Sequence, residues 1–494
     1  MRVGPGAEFY AISMGGGPIG YASSTVDTTR DGISVEDQLV LDIAALGKVQ
    51  RTQFTTEIHL TRDFRLRSFE AMLDVPGSPF RASGDVSGDS VLAVTIEAGG
   101  QPSITRVRLS RPIVLSTLLP LELAFGHQLA PGKSYAVRVL DPMSMEERDV
   151  TVKVLAESTL VVPDSAVWDS AATRWVPVHQ DTVRAWKVAE AFGGIATESW
   201  IDRQGRIVNA VSPIGFRMER TAFELAVENW RRSAGAQHLA VGGGGGGGGG
   251  GPGGGGGGDI IEATAITANV ALAPANLSVL RVTIGNARLA GFDLSGGRQR
   301  LHGDTLTVRR ETDVGPEAPG APSLTLDRLP TTDTALAAAL ASEPLIQAND
   351  PRIQAQARQI VGRERRAGAV AALLTHWVYA HLKKEITISV PSAVQVLDER
   401  RGDCNEHTVL YVALARSLGL PARTAAGLVY LRGRFYYHAW PEVWLGRWVA
   451  VDPTFDQFPA DASHLRFVIG GLARQVELLR LIGRVTVTVV GSTS

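Results

Sequence analysis

Residues 401–407 read Arg401-Gly402-Asp403-Cys404-Asn405-Glu406-His407, and Cys404 is the only cysteine of the chain. Asp403 has the chemistry of a helix N-cap, and Glu406, at the third helical position, completes a capping box with it. Beyond the cap, Val409, Leu410, Val412, Ala413, Leu414 and Leu418 spread apolar groups around most of a helix, which predicts a buried one. Gly419, with Pro421 behind it, ends it. Cys404 is then the first helical residue. The unpaired N–H groups and positive pole of a helix start favour a thiolate and can stabilise an oxyanion. The expectation is a nucleophilic thiol of depressed pKa.

Downstream, residues 424–431, 435–445 and 448–452 read as strands, with turns at Arg432-Gly433 and Gly446-Arg447. Strand side chains alternate between faces. His438, Trp440, Glu442 and Trp444 therefore share one face of the second strand, and Trp448, Ala450 and Asp452 share one face of the third. If Trp444 opposes Trp448 across the loop 445–447, Asp452 opposes Trp440 and becomes the diagonal neighbour of His438. A loop one residue shorter puts the two on opposite faces. Cys404, His438 and Asp452 are the parts of a cysteine nucleophile with its base and orienting carboxylate. Glu406 is better explained by capping than by catalysis. Glu442 reads as a supporting residue, and Trp440 as packing around the site, with shaping of an acyl pocket as its alternative. His407 could pair with Cys404 as metal ligands, but zinc wants four ligands, or three and a water, and no second cysteine exists. Gln395 is a candidate oxyanion donor.

Four motifs in order carry a family resemblance: Gly402-Asp403-Cys404-Asn405-Glu406-His407; Ala413-Leu414-Ala415-Arg416 with Leu418-Gly419-Leu420-Pro421-Ala422-Arg423; His438-Ala439-Trp440-Pro441-Glu442-Val443-Trp444; and Trp448 with Val451-Asp452-Pro453-Thr454. Over residues 350–468 the chain resembles the bacterial transglutaminase-like superfamily. That resemblance implies an α+β, papain-like domain with Cys404 as nucleophile, His438 as base and then acid, and Asp452 as orienting group. It implies amide or peptide hydrolysis, or transamidation, on a protein or peptide substrate through a thioester. The superfamily also has non-catalytic members, so a scaffold or binding protein is the alternative. Asp403 is assigned to stability and Asp452 to turnover.

The rest of the chain predicts a multidomain protein. Residues 1–235 read as an antiparallel β-rich region, with strands at 38–46, 53–60, 90–97, 103–109, 134–140, 148–154 and 197–202, a turn at Asp202-Arg203-Gln204-Gly205, and helical patches at 113–125 and 221–232. Residues 9–12 and 19–22 look like two arms of a hairpin. Residues 236–258 are a poly-Gly linker, since glycine buries no side chain and no Lys follows for a phosphate loop. Residues 259–315 form a small β unit able to complete the first sheet, 316–349 a Pro-rich connector, and 350–494 the transglutaminase-like domain, expected to fold alone unless its strand at 485–489 pairs with the upstream β region.

The net charge is 49 − 50 = −1, which removes any bulk electrostatic case for nucleic acid or an anionic membrane. No apolar run reaches the 18 or so residues of a membrane helix. No carboxylate-rich calcium loop is visible. The expectation is no cofactor and no metal. A cell-envelope or periplasmic location follows if a leader precedes this sequence, and a cytoplasmic one otherwise.

Overall fold

The computed structural model describes residues 6–493 except 29, 31, 46–47, 76–78, 89, 110–112, 142–145, 193–194, 213–214, 234–260, 262–263, 313, 315–323, 330–332, 388, 476 and 479–480. The expected linker 236–258 lies outside the described residues. The chain forms two compact units. The first comprises residues 1–75, 81–96 and 104–262; the second comprises 76–80, 97–103 and 263–494.

The first unit is built on a 15-stranded, almost wholly antiparallel sheet. Gly6–Met14 is its pivot, pairing with Gly17–Thr28 on one side and Phe216–Thr221 on the other. Half-buried alternation is the cause of these strands. In Val91–Glu97, Leu92, Val94 and Ile96 are buried while their neighbours are partly exposed. The hairpin of Gly6–Met14 with Gly17–Thr28 and the turn closed by Gly205 follow the sequence reading. So do the helical patches, at Leu119–Gly126 and residues 223–233. The long hairpin Glu146–Asp169 with Arg174–Phe192 extends far past the strand expected at 148–154. Its outer half has Val161, Val167 and Val178 exposed, so it carries no in-out pattern to read.

The second unit is mixed α/β. Helices Pro351–Val361, Ala367–His381, Ala393–Glu399 and Cys404–Ser417 share one core, in which Leu374, Val378, Leu410, Val412 and Leu414 are fully buried. Each such side chain is worth about 1.5–3 kcal/mol of burial. The Cys404 helix packs against a sheet in which Arg434–Trp444 pairs with Ala422–Leu431, and that strand with His464–Ile469. Gly427 lies opposite His438, and a Cβ there would sit 2.0 Å from the Leu465 carbonyl oxygen. Only glycine lets the His464–Ile469 strand come this close.

Residues 259–315 do not complete the first sheet. Val279–Gly285, Gln299–His302 and Thr305–Arg309 form a four-stranded sheet with Thr486–Thr493, and Ile266–Thr267 pairs with Phe435 and Arg434 of the His438 strand. The boundary expected at 350 therefore cuts through paired strands, and the compact unit continues back to residue 263. No helix among the described residues is long and apolar enough to cross a membrane.

A fragment beginning at Asp350 leaves the Thr486–Thr493 strand without its partner and is predicted to melt without cooperativity. A fragment beginning at residue 264 should show a sigmoidal circular-dichroism melt; equal cooperativity in both would mean that the small sheet is dispensable.

Candidate active site

The capping box forms as read. The Asp403 carboxylate accepts the Asn405 N–H at 2.8 Å, and Glu406 accepts the Asp403 N–H at 2.9 Å. Glu406 also accepts Thr387 Oγ1 at 2.7 Å and the Ser389 hydroxyl. Gly402 is part of this packing, because a Cβ on it would meet the Glu406 side chain at 2.3 Å. His407 is buried and its Nδ1–H donates to the Asp403 carbonyl at 2.6 Å, a structural use. Gln395 donates its amide to the Pro79 carbonyl at 2.9 Å, so this donor is engaged away from the thiol.

Cys404 begins the helix and is half-buried. Its sulfur accepts the N–H of Ala439, the residue after His438, which brings helix and strand together at the thiol. The thiol is not acidified as the helix end alone suggests. Burial pushes its pKa well up, and the carboxylates of Asp403, Glu406 and Asp452 push it the same way, against the single N–H of Ala439. These influences run against the depressed thiol pKa expected from the helix end. Burial and Glu406 likewise push Asp403 up.

The loop after the His438 strand has the length that parity required. Trp444 opposes Trp448, Val443 opposes Val449 and Glu442 opposes Ala450. Asp452 then reaches back to His438, with Nε2 to Oδ2 at 2.7 Å. This bond uses Nε2 and leaves Nδ1 as the other ring nitrogen. Asp452 is fully buried, and its second oxygen accepts the N–H groups of Thr454 at 2.7 Å and Phe455 at 3.2 Å. The His438 ring is stacked by Phe455, with centroids 5.0 Å apart, and flanked by Trp440 at 6.1 Å.

Trp440 is buried among Ala425, Ala450 and Ala460 and acts as packing. Glu442 is a buried ion-pair member, held by Arg423 at 2.6 Å and Arg466 at 2.8 Å. Burial pushes its carboxyl up, but the two guanidinium groups outweigh that and leave it below its ordinary value.

His464 escapes sequence reading. It is a lone histidine on a strand with no motif around it. Its Nε2 lies 2.8 Å from Asp452 Oδ2, the oxygen that His438 also uses, and its Nδ1 lies 3.3 Å from Asp461 Oδ1. An imidazole with a carboxylate at each nitrogen donates from both, and is therefore a cation. Burial opposes that charge, yet the two carboxylates raise the pKa to about 9. Burial would raise Asp452, but His438 and His464 hold it well below the carboxylate range; Asp461 is held low through His464 and Ser463.

The ligand atoms of His438, Asp452 and His464 converge within 4.8 Å, a spacing that suits a metal. Both nitrogens, however, already make short hydrogen bonds to one oxygen. The donor set is used as a hydrogen-bonded chain.

Residues 354–453 match the model of the Transglutaminase-like superfamily. No curated protein matches the chain. Among solved structures the chain is similar to a candidate cysteine protease from Cytophaga hutchinsonii, at 15% identity over 44% of this chain and 85% of that one, with a TM-score of 0.28. It is also similar to a β-barrel-like protein of domain of unknown function DUF1849 from Brucella abortus, at 14% identity over 44% and 96%, TM-score 0.30. A DUF1089 family protein from Pseudomonas aeruginosa follows at 13% identity over 38% and 88%, TM-score 0.23. At such TM-scores these three carry no weight for function.

Two outcomes are expected. Asp452→Ala removes the carboxylate that buried His438 and His464 share, leaving His438 without one and His464 with Asp461 alone, and should destabilise by about 3–5 kcal/mol. Asp403→Ala loses a cap, worth about 1 kcal/mol. Denaturant titrations read through exposure of Cys404, the only thiol, compare the two directly. An Asp452→Ala midpoint equal to wild type would restrict Asp452 to turnover, as the sequence alone suggested.

The second outcome concerns pH. Asp452 and Asp461 have depressed pKa values, so their stabilisation is complete above about pH 3.9 and is lost as the pH falls below it. The pKa of His464 is raised, so its contribution is complete below about pH 6.5 and disappears as the pH rises through about 9. The second unit should be most stable between about pH 4 and 6.5, and His464→Gln should flatten the alkaline decline. Pulsed thiol labelling at one fixed pH, after equilibration at each test pH, measures this; an unchanged alkaline limb in His464→Gln would contradict it.

Proposed function

We propose that this protein performs cysteine-dependent acyl chemistry on a protein or peptide amide, through a thioester at Cys404. The observation that carries the proposal is the junction of Cys404 with the His438 strand. The sulfur meets the Ala439 N–H, and the adjacent His438 is locked at 2.7 Å onto buried Asp452. The superfamily match spans Cys404 and both partners. A helix bearing the thiol, packed on an antiparallel sheet bearing the imidazole and carboxylate, also supports the papain-like reading of this unit.

In this reading the resting thiol is neutral, so His438 acts as base during attack rather than in a preformed ion pair. The Cys404 proton passes to His438 Nδ1 as sulfur bonds to the carbonyl carbon. The tetrahedral oxyanion faces the positive end of the Cys404 helix. His438 then gives its proton to the leaving nitrogen, the C–N bond breaks, and a thioester and an amine or ammonia result. Water, deprotonated by His438, cleaves the thioester and releases a carboxylic acid and the thiol. Water is the acceptor of choice because it requires no second binding site. Asp452 keeps Nδ1 aimed at sulfur and stabilises the imidazolium. No cofactor takes part in any step.

One observation favours the non-catalytic alternative. Burial raises the thiol pKa, which a purely structural cysteine would share. The two readings part on His438. At pH 7, iodoacetamide labelling of the native protein should slow by at least about tenfold in His438→Ala, since general-base assistance is commonly worth about 10²–10⁴. Identical pH profiles, both rising only near the free-cysteine value of about 8.5 or above, would support the scaffold and overturn the proposal.

A further inference from the structure

The first unit holds a cavity of about 480 Å³. It lies between one face of strands Gly6–Met14, Gly17–Thr28, Ile33–Ala45 and Lys48–Leu60 and the residues Leu118, Pro120 and Leu121 at the start of the Leu119–Gly126 helix, with Phe216 and Met218 closing another side. Protein interiors seldom contain voids larger than a water molecule, and this volume falls within the range of small-molecule sites. Leu39, Leu41, Phe54, Ile207, Phe216 and Met218 are apolar yet only partly buried, because they face this space.

The lining is ordered in rows by the sheet register. Tyr10, Ala22, Leu39 and Phe54 lie opposite one another across four strands. Two residues along, Ser24, Asp37 and Thr56 make the next row, and Val26 and Val35 the one after. A single polar row thus crosses an apolar wall. Thr56 Oγ1 donates to Asp37 at 3.4 Å. Arg206 and Arg217, which also line the cavity, are paired with Glu8 and Glu219. Asp37 has no cationic partner among the described residues, so its carboxyl is the uncompensated group of the wall. Burial raises its pKa above the ordinary value, as expected for a carboxyl that lacks a counter-charge.

We propose that this cavity binds a single-chain amphiphile, its apolar tail against Ile12, Leu39, Leu41, Phe54 and Met218 and a hydroxyl or ammonium head donating a hydrogen bond to Asp37. The apolar walls recognise the chain by area. The polar row sets which end lies where, and disfavours a carboxylate head, because two carboxylates would face each other without a cation between them. This site is separate from the thiol chemistry and does not depend on it.

The test uses the full chain and the dye N-phenyl-1-naphthylamine, which fluoresces in apolar sites. The dye should bind and be displaced by 1-monododecanoylglycerol and by dodecylamine. Which of these acts at the lower concentration tells a hydroxyl from an ammonium head. At least one should displace the dye about tenfold more effectively than dodecanoate, which corresponds to about 1.4 kcal/mol of head-group discrimination. Asp37→Asn should retain dye binding and bring the three competitors within about twofold of one another, a difference of a few tenths of a kcal/mol. Ala22→Trp, filling the space, should abolish dye binding while keeping the wild-type circular-dichroism spectrum. If that variant does not fold, Leu39→Trp, whose side chain faces the same space, takes its place. Absence of dye binding in wild type, displacement by dodecanoate as effective as by the other two, or undiminished dye binding in a folded filled variant would each overturn the proposal.

Discussion

One buried carboxylate organises the second unit. Asp452 has no exposed surface, and both its oxygens are committed: one to the backbone N–H groups of Thr454 and Phe455, the other to His438 and His464 together. Burying an ion in a protein costs several kcal/mol unless hydrogen bonds and opposite charge replace water. Here they do, and the geometry they demand fixes three segments at once. The turn after the third strand must place Thr454 and Phe455 under the carboxylate. The His438 strand must present its imidazole from one side, and the His464–Ile469 strand from the other. Gly427 permits that last approach, because any side chain there would strike the Leu465 carbonyl. Asp461 anchors the far nitrogen of His464 and is itself held by Ser463 and Gln457. The acid–imidazole pair is therefore the centre of a chain of charges rather than an isolated couple.

The Cys404 thiol is governed by a balance rather than by the helix end alone. The positive pole and the Ala439 N–H favour a thiolate. Enclosure and the neighbouring carboxylates disfavour it, and they prevail. The capping box that fixes the helix start is also what brings Asp403 and Glu406 beside the sulfur. A stable cap and an acidified thiol thus compete for the same place. In the proposed reaction, transfer of the proton to His438 only when a carbonyl arrives would resolve this, since the imidazolium would lie against Asp452.

Much of this arrangement is legible in the sequence, because it rests on local rules. The capping box needs only Asp403 and Glu406 at their spacing. The meeting of His438 with Asp452 follows from strand parity once Trp444 opposes Trp448. The N-terminal hairpin and the turn at Gly205 likewise follow from alternation and glycine. What escaped the sequence is non-local. His464 carries no motif, and its partner oxygen belongs to a residue on another segment. Glu442 reads as support, but that it joins Arg423 and Arg466 is visible only once strands are paired. The Thr486–Thr493 strand pairs with Val279–Gly285, across some two hundred residues of chain, so the domain start lies near 263 instead of 350. The thiol's direction of shift was missed because burial is a property of packing, whereas the helix pole is a property of sequence.

The central claim is that Cys404 forms an acyl-enzyme with His438 as its base. It is tested most directly by incubating the intact protein with a library of amides and peptides, quenching in acid and searching by mass spectrometry for acyl adducts. The account predicts a thioester adduct confined to the peptide containing Cys404, labile to hydroxylamine, and absent from His438→Ala. No adduct in the wild type, or an adduct that forms equally well without His438, would contradict it.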